Sequence, residues 1–175
     1  MLGEPSDLMT GASPRSSDRI VAVTMWHANT YGPADPHASH IVTATILSLL
    51  RGEAPVIKSD GSPSKDYLYV DDTIAAYLAL AEAVAKGHAL QGAYNSGPAL
   101  PMSVRELVAA IIRVSGRAVE PDVLATDLSQ QGYREHLDSM ALWHDANWSP
   151  RVLPEDGLAR TWAWYREHQG MAWAR

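Results

Sequence analysis

Short apolar runs alternate with longer amphipathic stretches along this chain of 175 residues, and this alternation constrains the fold most strongly. The short runs predict strands over Arg19–Met25, Val56–Ile57, Tyr67–Val70 and Ala93–Ser96. The longer stretches carry apolar residues at helical spacing and predict helices within Ser39–Gly52, Asp71–Gly87, Ser103–Gly116 and Pro154–Gln169. Strands that alternate with helices are typical of an α/β fold.

Capping residues mark the ends of the predicted helices. Ser39 is placed to cap the first helix, which is expected to end at Gly52. Asp71 or Asp72 is expected to cap the second helix, because a carboxylate satisfies free N–H groups and meets the helix dipole. Ser103 with Glu106 forms a capping box for the third helix. The second helix is predicted to bury an apolar face made of Ile74, Tyr77, Leu78, Ala81 and Val84.

The predicted strands are few and lie far apart in the sequence. A parallel sheet needs neighbours on both sides of most strands, yet no strand-like segment precedes Arg19. The segment Trp26–Pro36 is predicted to be a loop with a turn at Gly32-Pro33, and Glu120–Trp148 shows no regular pattern. We therefore expect these strands to belong to a larger sheet.

Composition excludes several classes of protein. The formal net charge of −6 argues against a nucleic-acid partner, whose binding surfaces are normally basic. The chain has no cysteine, so disulfides and thiolate metal sites are excluded, and a cytoplasmic location is expected. No apolar run approaches the roughly 20 residues that span a bilayer, so no membrane partner is predicted.

Five short motifs occur in the order found in one enzyme family. They are Asn29-Thr30-Tyr31-Gly32-Pro33-Ala34-Asp35, Ser59–Asp72, Ala93-Tyr94-Asn95-Ser96-Gly97, Ser103–Ile112 and Gly157–Arg166. Together they resemble the sugar-nucleotide half of the extended short-chain dehydrogenase/reductases, the NAD-dependent epimerase/dehydratase family. Within that family, Pro55–Gly61 and Arg134–Asp138 are most similar to CDP-glucose 4,6-dehydratases.

The resemblance implies a fold and a division of the chain. The expected fold is the C-terminal portion of a Rossmann-type α/β enzyme, with the last sheet strands and a small α/β substrate-binding subdomain over residues 19–170. Residues 1–18, rich in Ser, Pro, Gly and Asp, are predicted to be a flexible arm, and residues 171–175 a tail.

The family's redox apparatus has no counterpart in this sequence. NAD(P) is implied by the resemblance, but no Gly-x-Gly-x-x-Gly or Gly-x-x-Gly-x-x-Gly motif follows a strand here. None of the seven tyrosines has a lysine four residues later, as the family's tyrosine base does. We therefore predict no catalytic or cofactor-binding residue, and we do not expect this chain alone to bind the cofactor.

Four residues match substrate-side positions of the family. Lys65 stands where an arginine pairs with the substrate diphosphate, and Asn29 matches an asparagine that donates to the sugar nucleotide. Asn95 resembles a second substrate-side asparagine, and Arg134 a late basic residue that closes on the diphosphate. The alternatives are a solvated loop lysine, a turn asparagine, a polar strand end and an unrelated arginine.

Two clusters of titratable residues have simpler explanations than catalysis or metal binding. The pair Asp71-Asp72 is explained by helix capping. The group Asp35, His37 and His40 lacks a third firm ligand or a histidine pair at i, i+4 spacing on a helix, so no metal site is predicted.

These expectations leave three descriptions of the chain open. It is the nucleotide-sugar-binding part of an NAD-dependent epimerase/dehydratase, inactive alone and served by a complementing N-terminal half or by homo-oligomerisation. Alternatively it is a non-catalytic binding or interaction module, or half of a split enzyme. As a third alternative, it does not fold stably alone, because exposed sheet edges and an uncovered apolar face favour association.

Overall fold

The computed structural model describes residues 21–88, 90 and 92–169 of the chain. Within these ranges there are eight strands, β1 (Thr24–His27), β2 (Asn29–Tyr31), β3 (Val56–Ile57), β4 (Ser64–Lys65), β5 (Tyr67–Tyr69), β6 (Ala93–Ser96), β7 (Met102–Ser103) and β8 (Asp122–Val123). There are also five helices, α1 (Ile41–Arg51), α2 (Val70–Ala85), α3 (Val104–Ser115), α4 (Met140–Ala146) and α5 (Pro154–Glu167). The arm and tail predicted over residues 1–18 and 171–175 lie outside the described residues.

The strands form two-stranded pairs, three of them parallel. β1 pairs with β6, β2 with β5 and β3 with β8 in parallel, whereas β4 and β7 run antiparallel. Ala28 joins β1 to β2, and its N–H donates to the Ser96 carbonyl at 2.8 Å. The next N–H, of Asn29, donates to the Asp66 carbonyl on the opposite edge at 3.1 Å. The segment β1–β2 therefore runs between β6 and β5, and the predicted α/β class is confirmed.

Two clusters of buried side chains form the core. The larger cluster joins α1, α3 and α5 to the aromatic residues of β2 and β5, and includes Tyr31, Ile46, Leu49, Tyr69, Leu107, Ile111, Leu158, Trp162 and Tyr165. The smaller cluster joins the β1–β6 pair to α2 and α4, and consists of Ala28, Leu68, Ala76, Leu80, Tyr94, Leu142 and Trp148. A cavity described below opens beside the larger cluster.

The first strand boundaries predicted from the sequence are wrong. Among the described residues β1 covers Thr24–His27 and not the predicted Arg19–Met25. The predicted loop Trp26–Pro36 contains β2, whose Asn29 lies in register with Tyr67 of β5. Pairing with a distant strand makes this segment extended, and such pairing overrides the local turn signals.

The helix ends agree with the sequence at most positions. Gly52 follows α1 with φ of 76°, and Gly116 follows α3 with φ of 69°, so both glycines adopt the predicted left-handed conformation. The capping box of Ser103 and Glu106 is confirmed. His40, and not Ser39, is the N-cap of α1, and no side-chain hydrogen bond caps this helix.

The predicted buried face of α2 is wrong. The helix buries its other side, through Asp72, Thr73, Ala76, Leu80 and Ala83. The predicted apolar stripe of Ile74, Tyr77, Leu78 and Ala81 is exposed. Small residues on the buried side let α2 lie close to β5 and α4, and this tertiary contact decides which of two apolar faces is covered.

The two aspartates at the start of α2 do not act as its N-cap. Tyr69 occupies that position. The buried Asp72 carboxylate accepts hydrogen bonds from the Arg151 N–H at 3.0 and 3.1 Å and from the Val152 N–H at 2.9 Å. Asp72 thus holds the segment after α4 against α2, a contact that no local pattern predicts.

The C-terminal third of the chain contains more regular structure than its sequence predicts. Strand β8 and helix α4 lie within Glu120–Trp148, where no regular pattern was evident. The last predicted helix is confirmed as α5. Among the described helices, none combines the length and apolar character required to cross a membrane.

Ala34 occupies a backbone conformation that favours glycine. Its φ is 58°, in the left-handed region. We expect Ala34→Gly to raise the free energy of unfolding by about 0.5–1 kcal/mol, because relief of this strain exceeds the entropic cost of glycine. Ala38→Gly in the same loop is the control. Since Ala38 has no positive φ, this change should lower stability slightly, and equal effects in chemical denaturation would contradict the assignment.

Candidate functional site

A cavity of about 670 Å³ lies beside β2 and beyond the carboxyl end of β3. Its walls come from β2, the start of α1, the turn after β3, and the junction of β4 with β5. In α/β folds, ligands bind at the carboxyl ends of the parallel strands, and this cavity lies at such an end. We therefore take it as the candidate site.

A second cavity of about 520 Å³ lies between α2 and the segment 144–151. Its charged lining residues are largely paired with one another. Lys86 contacts Glu82 at 2.6 Å, and His144 contacts Asp145 at 2.7 Å. It contains none of the four predicted substrate-site residues, so it is the weaker candidate.

Asn29 lies in the wall of the candidate site, as the resemblance implied. Its side-chain Nδ2 donates to the Asp66 carbonyl at 3.1 Å, and its own backbone N–H donates to the same oxygen at 3.1 Å. These two bonds fix the orientation of the amide. Among the described residues, none bonds the Oδ1 atom or the second side-chain N–H of Asn29.

Lys65 lies in the same wall, together with a second lysine, Lys58. The Lys65 side chain is half-buried, and its Nζ lies 5.4 Å from the centre of the Tyr133 ring. An ammonium over an aromatic face is held by a cation–π interaction. Among the ion pairs of the described residues none involves Lys65, so its charge is available to an anionic ligand.

Asp35 at the rim of the cavity is a structural anchor. Its carboxylate accepts hydrogen bonds from the His37 N–H at 2.9 Å, the His40 Nδ1 at 2.8 Å and the Thr43 hydroxyl at 3.2 Å. Burial alone raises the pKa of Asp35, but these hydrogen bonds outweigh it and hold the pKa below its ordinary value. No group of three metal-ligating side chains occurs in the described ranges. The hydrogen bonds of Asp35 therefore explain the group of Asp35, His37 and His40 as a structural anchor at the start of α1.

The tyrosines of this site are not activated as bases. Burial, with a smaller effect of Glu135, raises the pKa of Tyr67 to about 12. Burial likewise raises the pKa of Tyr31 far above its ordinary value, with smaller contributions from Tyr69 and Asp72. Raised pKa values favour the protonated phenols, which can donate hydrogen bonds and pack; the Tyr31 hydroxyl donates to the Pro154 carbonyl at 3.2 Å.

Asn95 and Arg134, the other two predicted site residues, are not part of the cavity wall. Arg134 is exposed, and its backbone forms an isolated β-bridge with Ser64, the neighbour of Lys65. This bridge consists of hydrogen bonds from the Ser64 N–H to the Tyr133 carbonyl and from the Glu135 N–H to the Ser64 carbonyl. Asn95 is half-buried in β6, beside Trp26 of β1. The structure thus brings Asn29 and Lys65 together, places Arg134 beside them, and sets Asn95 on the β1–β6 pair.

Several lining residues were missed by sequence reasoning. Lys58 lies directly before the Ser59-Asp60-Gly61 turn, and its carbonyl accepts the N–H groups of Thr126 and Asp127 at 2.8 and 3.0 Å. These bonds bring a remote loop to the cavity, where Asp127 and Gln130 complete the wall. Lys58 could have been predicted because it lies next to a recognised motif. The contact of the 126–127 loop with Lys58 could not, because nothing in the local sequence indicates it.

The N-terminus of α1 also lies in the cavity wall, through Ser39, His40, Ile41 and Val42. The first N–H groups of a helix have no partner within it and attract anions. The first turn of α1 carries no acidic residue, whereas the first turns of α2, α3 and α5 each carry at least one. The first turn of α4 carries none either, but α4 lies away from this cavity. At the start of α1 the nearby Asp35 carboxylate is bonded by His40 and Thr43, so the helix itself adds no further negative charge there.

Comparison with known proteins identifies relatives of this chain. The profile of the NAD dependent epimerase/dehydratase family matches residues 8–97, half of the chain. A UDP-glucose 4-epimerase of Mycolicibacterium smegmatis is 33% identical over 141 residues, which are 79% of this chain and 44% of that protein. A dTDP-glucose 4,6-dehydratase of Streptomyces griseus is 28% identical over 163 residues, 93% of this chain and 48% of that protein. The chain thus spans about half the length of these curated relatives.

Solved structures agree with the sequence comparison. The UDP-glucose 4-epimerase of Thermotoga maritima, determined with UDP-glucose, superimposes with a TM-score of 0.72 at 28% identity, covering 83% of this chain and 46% of that one. The dTDP-glucose 4,6-dehydratase of Bacillus anthracis, determined with NAD, gives a TM-score of 0.71 at 22% identity, covering 85% and 45%. The predicted Rossmann-like α/β fold is confirmed. The chain belongs to the NAD-dependent epimerase/dehydratase family.

Proposed function

We propose that the cavity of about 670 Å³ binds the diphosphate of a nucleotide sugar. The observation that supports this most directly is that Lys58, Lys65, Asn29 and the α1 N-terminus all line this cavity. A diphosphate needs cations and N–H donors, and the lining of this cavity supplies both. The carboxylates nearby are engaged, Asp35 by its three donors and Asp127 by Ser129 at 2.6 and 3.0 Å.

Each predicted residue has a role in this proposal. Lys65 pairs with the diphosphate as a compact point charge, and Asn29 bonds the sugar nucleotide through the atoms that Asp66 leaves available. Arg134, exposed beside Lys65, closes on the diphosphate when ligand is bound. Asn95 contacts the sugar side, beyond the cavity wall. The resemblance favours CDP-glucose as the nucleotide sugar, whereas the relatives include a UDP-glucose 4-epimerase, a dTDP-glucose 4,6-dehydratase and a GDP-L-fucose synthase.

The helix N-termini of the described residues do not suit the pyrophosphate of the family's nicotinamide cofactor. A dinucleotide pyrophosphate needs a glycine-rich turn into a helix N-terminus. In the described ranges, α2 begins with Asp71 and Asp72, α3 is closed by its capping box, and α5 begins with Glu155 and Asp156. Negative charge at these termini repels phosphate, and α1 faces the candidate site. We derive no redox step for this chain alone.

The proposed activity is therefore that of a nucleotide-sugar-binding part without chemistry of its own. Purified chain incubated with CDP-glucose, UDP-glucose or dTDP-glucose and NAD should form no 4-keto sugar and no epimer. The protonated tyrosines of the cavity and the absence of Tyr-x-x-x-Lys from the sequence support this expectation. Turnover by the chain alone would contradict it and would favour a complete enzyme.

Lys65→Ala is expected to weaken nucleotide-sugar binding at least ~10-fold, because a charge-assisted bond to phosphate contributes about 1.5–3 kcal/mol. Isothermal titration calorimetry with the three nucleotide sugars measures the effect and ranks the bases. Lys86→Ala is the matched control, since Lys86 is an exposed lysine that is paired with Glu82 and lines the second cavity instead of this one. Equal affinities of both variants would remove Lys65 from the site, and no binding of any nucleotide sugar would reject the proposed function.

A further inference from the structure

Asp66 lies between β4 and β5, where β2 meets a segment from much later in the chain. Its backbone carbonyl accepts the backbone N–H and the side-chain Nδ2 of Asn29, each at 3.1 Å. Its side-chain Oδ2 accepts the N–H of Leu137 at 2.8 Å. Asp66 is 1% exposed, so both interactions are made inside the protein. One residue therefore bonds both to the asparagine of the cavity wall and to a segment 71 residues away.

The segment 133–139 contains Arg134 and is held along β4 by a small number of bonds. Two backbone hydrogen bonds of 2.9 Å join its first residues to Ser64. The bond to the Asp66 carboxylate follows three residues after Arg134. This segment belongs to none of the helices and strands of the described residues, so its position depends on such bonds.

The same segment passes directly over Gly97, the residue that follows β6. A Cβ at Gly97 would lie 2.9 Å from the Cβ of Leu137 and 3.3 Å from the Oδ2 of Asp66. The Ser139 hydroxyl accepts the Gly97 N–H at 2.7 Å and donates to the Gly97 carbonyl at 3.0 Å. A side chain at Gly97 would therefore push the segment away from Asp66.

The Asp66 carboxylate is a poor choice for stability alone. Among the described residues only the Leu137 N–H bonds it, through Oδ2, and none bonds the buried Oδ1. Taking a carboxylate out of water is costly, and an apolar side chain of similar size would avoid that cost. The aspartate is therefore better explained by the segment that it holds than by a gain in stability.

We propose that Asp66 is a positioning residue, whose carboxylate holds the segment 133–139 so that Arg134 can close on the diphosphate of the bound nucleotide sugar. This inference rests on the proposed function, because it assigns a role within that same site. Asp66 does not line the cavity, so it acts through the Leu137 N–H and not on the ligand. Its carbonyl holds Asn29 separately, and a change of side chain does not remove that acceptor.

A double-mutant cycle of Asp66 and Arg134 tests this role. The ligand is whichever of CDP-glucose, UDP-glucose and dTDP-glucose the parent chain binds most tightly by isothermal titration calorimetry. Asp66→Ala should weaken binding at least ~5-fold in the parent, but less than ~2-fold when Arg134 is already alanine, because the change then has no arginine to misplace. Asp66→Asn keeps an oxygen acceptor for the Leu137 N–H and should restore most of the affinity. Gly97→Ala displaces the same segment and should show the same coupling to Arg134.

Asp72→Ala is the matched control, since Asp72 is also a buried aspartate that accepts backbone N–H bonds, but from residues 151–152. Any effect of this change on affinity should be additive with that of Arg134→Ala. Amide exchange by nuclear magnetic resonance gives a second readout that needs no ligand. The Glu135 amide, which bonds Ser64 and not Asp66, should exchange at least ~10-fold faster in Asp66→Ala and not in Asp72→Ala. If Asp66→Ala does not fold, Gly97→Ala takes its place in both measurements.

Each other outcome contradicts the proposal. Additive effects of the Asp66 and Arg134 changes in a parent chain that binds ligand would overturn the positioning role and leave the proposed function intact. Equal losses of affinity in Asp66→Asn and Asp66→Ala, or an unchanged Glu135 amide, would show that the carboxylate does not act by holding the segment. A parent chain that binds no nucleotide sugar would reject the proposed function itself, and the role of Asp66 with it.

Discussion

Replacing Asp72 with alanine is expected to lower the free energy of unfolding by about 3 kcal/mol, because the change removes the acceptor of charge-assisted bonds from two backbone N–H groups. Those groups belong to Arg151 and Val152, and the carboxylate that accepts from them is buried. Its position in the first turn of α2 adds a favourable interaction with the helix dipole. Urea denaturation at neutral pH measures the loss as a shift in midpoint.

Asp71→Ala is the matched control for this result. Asp71 is adjacent, 61% exposed, and its contact with Arg160 is long, at 3.8 Å. An exposed pair of this kind contributes about 0–1 kcal/mol, so the control should stay close to the parent. Asp72→Asn keeps one oxygen acceptor and should lose about half as much as Asp72→Ala. If Asp71→Ala and Asp72→Ala destabilise equally, the helix dipole alone explains both aspartates, and the bonds to the 151–152 segment contribute nothing.

Replacing Gly157 with alanine is expected to cost about 2–3 kcal/mol, although alanine favours a helix more than glycine does. A Cβ at this position of α5 would overlap the Tyr31 hydroxyl and would lie 3.0 Å from Cδ2 of Tyr69. The Tyr31 hydroxyl donates to the Pro154 carbonyl at 3.2 Å, so a displaced ring also loses this bond. Because Tyr31 lines the candidate cavity, nucleotide-sugar affinity should fall together with the melting temperature.

Two further variants separate the overlap from a general effect of alanine. Gly92→Ala should be close to neutral, because its φ is not positive and no atom lies within 4 Å of the added Cβ. Adding Tyr31→Phe to Gly157→Ala should recover part of the lost stability, since the nearest clashing atom is then absent. A Gly157→Ala protein as stable as the parent would show that α5 does not lie this close to β2.

Local chemistry made part of the candidate site predictable. Asn29 and Lys65 belong to short motifs whose order along the chain is informative, and both lie in one cavity wall. The capping box at Ser103 and the left-handed glycines Gly52 and Gly116 were predictable because each depends on residues adjacent in sequence. The interactions that form the capping box and the left-handed glycine ends all lie within one helical turn.

Contacts between distant segments decided what the sequence did not predict. The choice between two apolar faces of α2 depends on β5 and α4, and the role of Asp72 depends on a segment about 80 residues away. Lys58 enters the cavity wall because the 126–127 loop bonds its carbonyl. No window of local sequence contains both partners of such contacts, so periodicity and capping rules do not reach them.

The sequence by itself determined the α/β class and the family, since these follow from short-range patterns and motif order, and the same motifs are the basis for proposing residues that hold a phosphorylated sugar. Only the tertiary structure decided which face of α2 is buried, which lysines line the same cavity, and that among the described residues the apolar stripe of α2 is exposed. The physical reason is that burial is settled by which surfaces meet, and surfaces meet through contacts far apart in the chain.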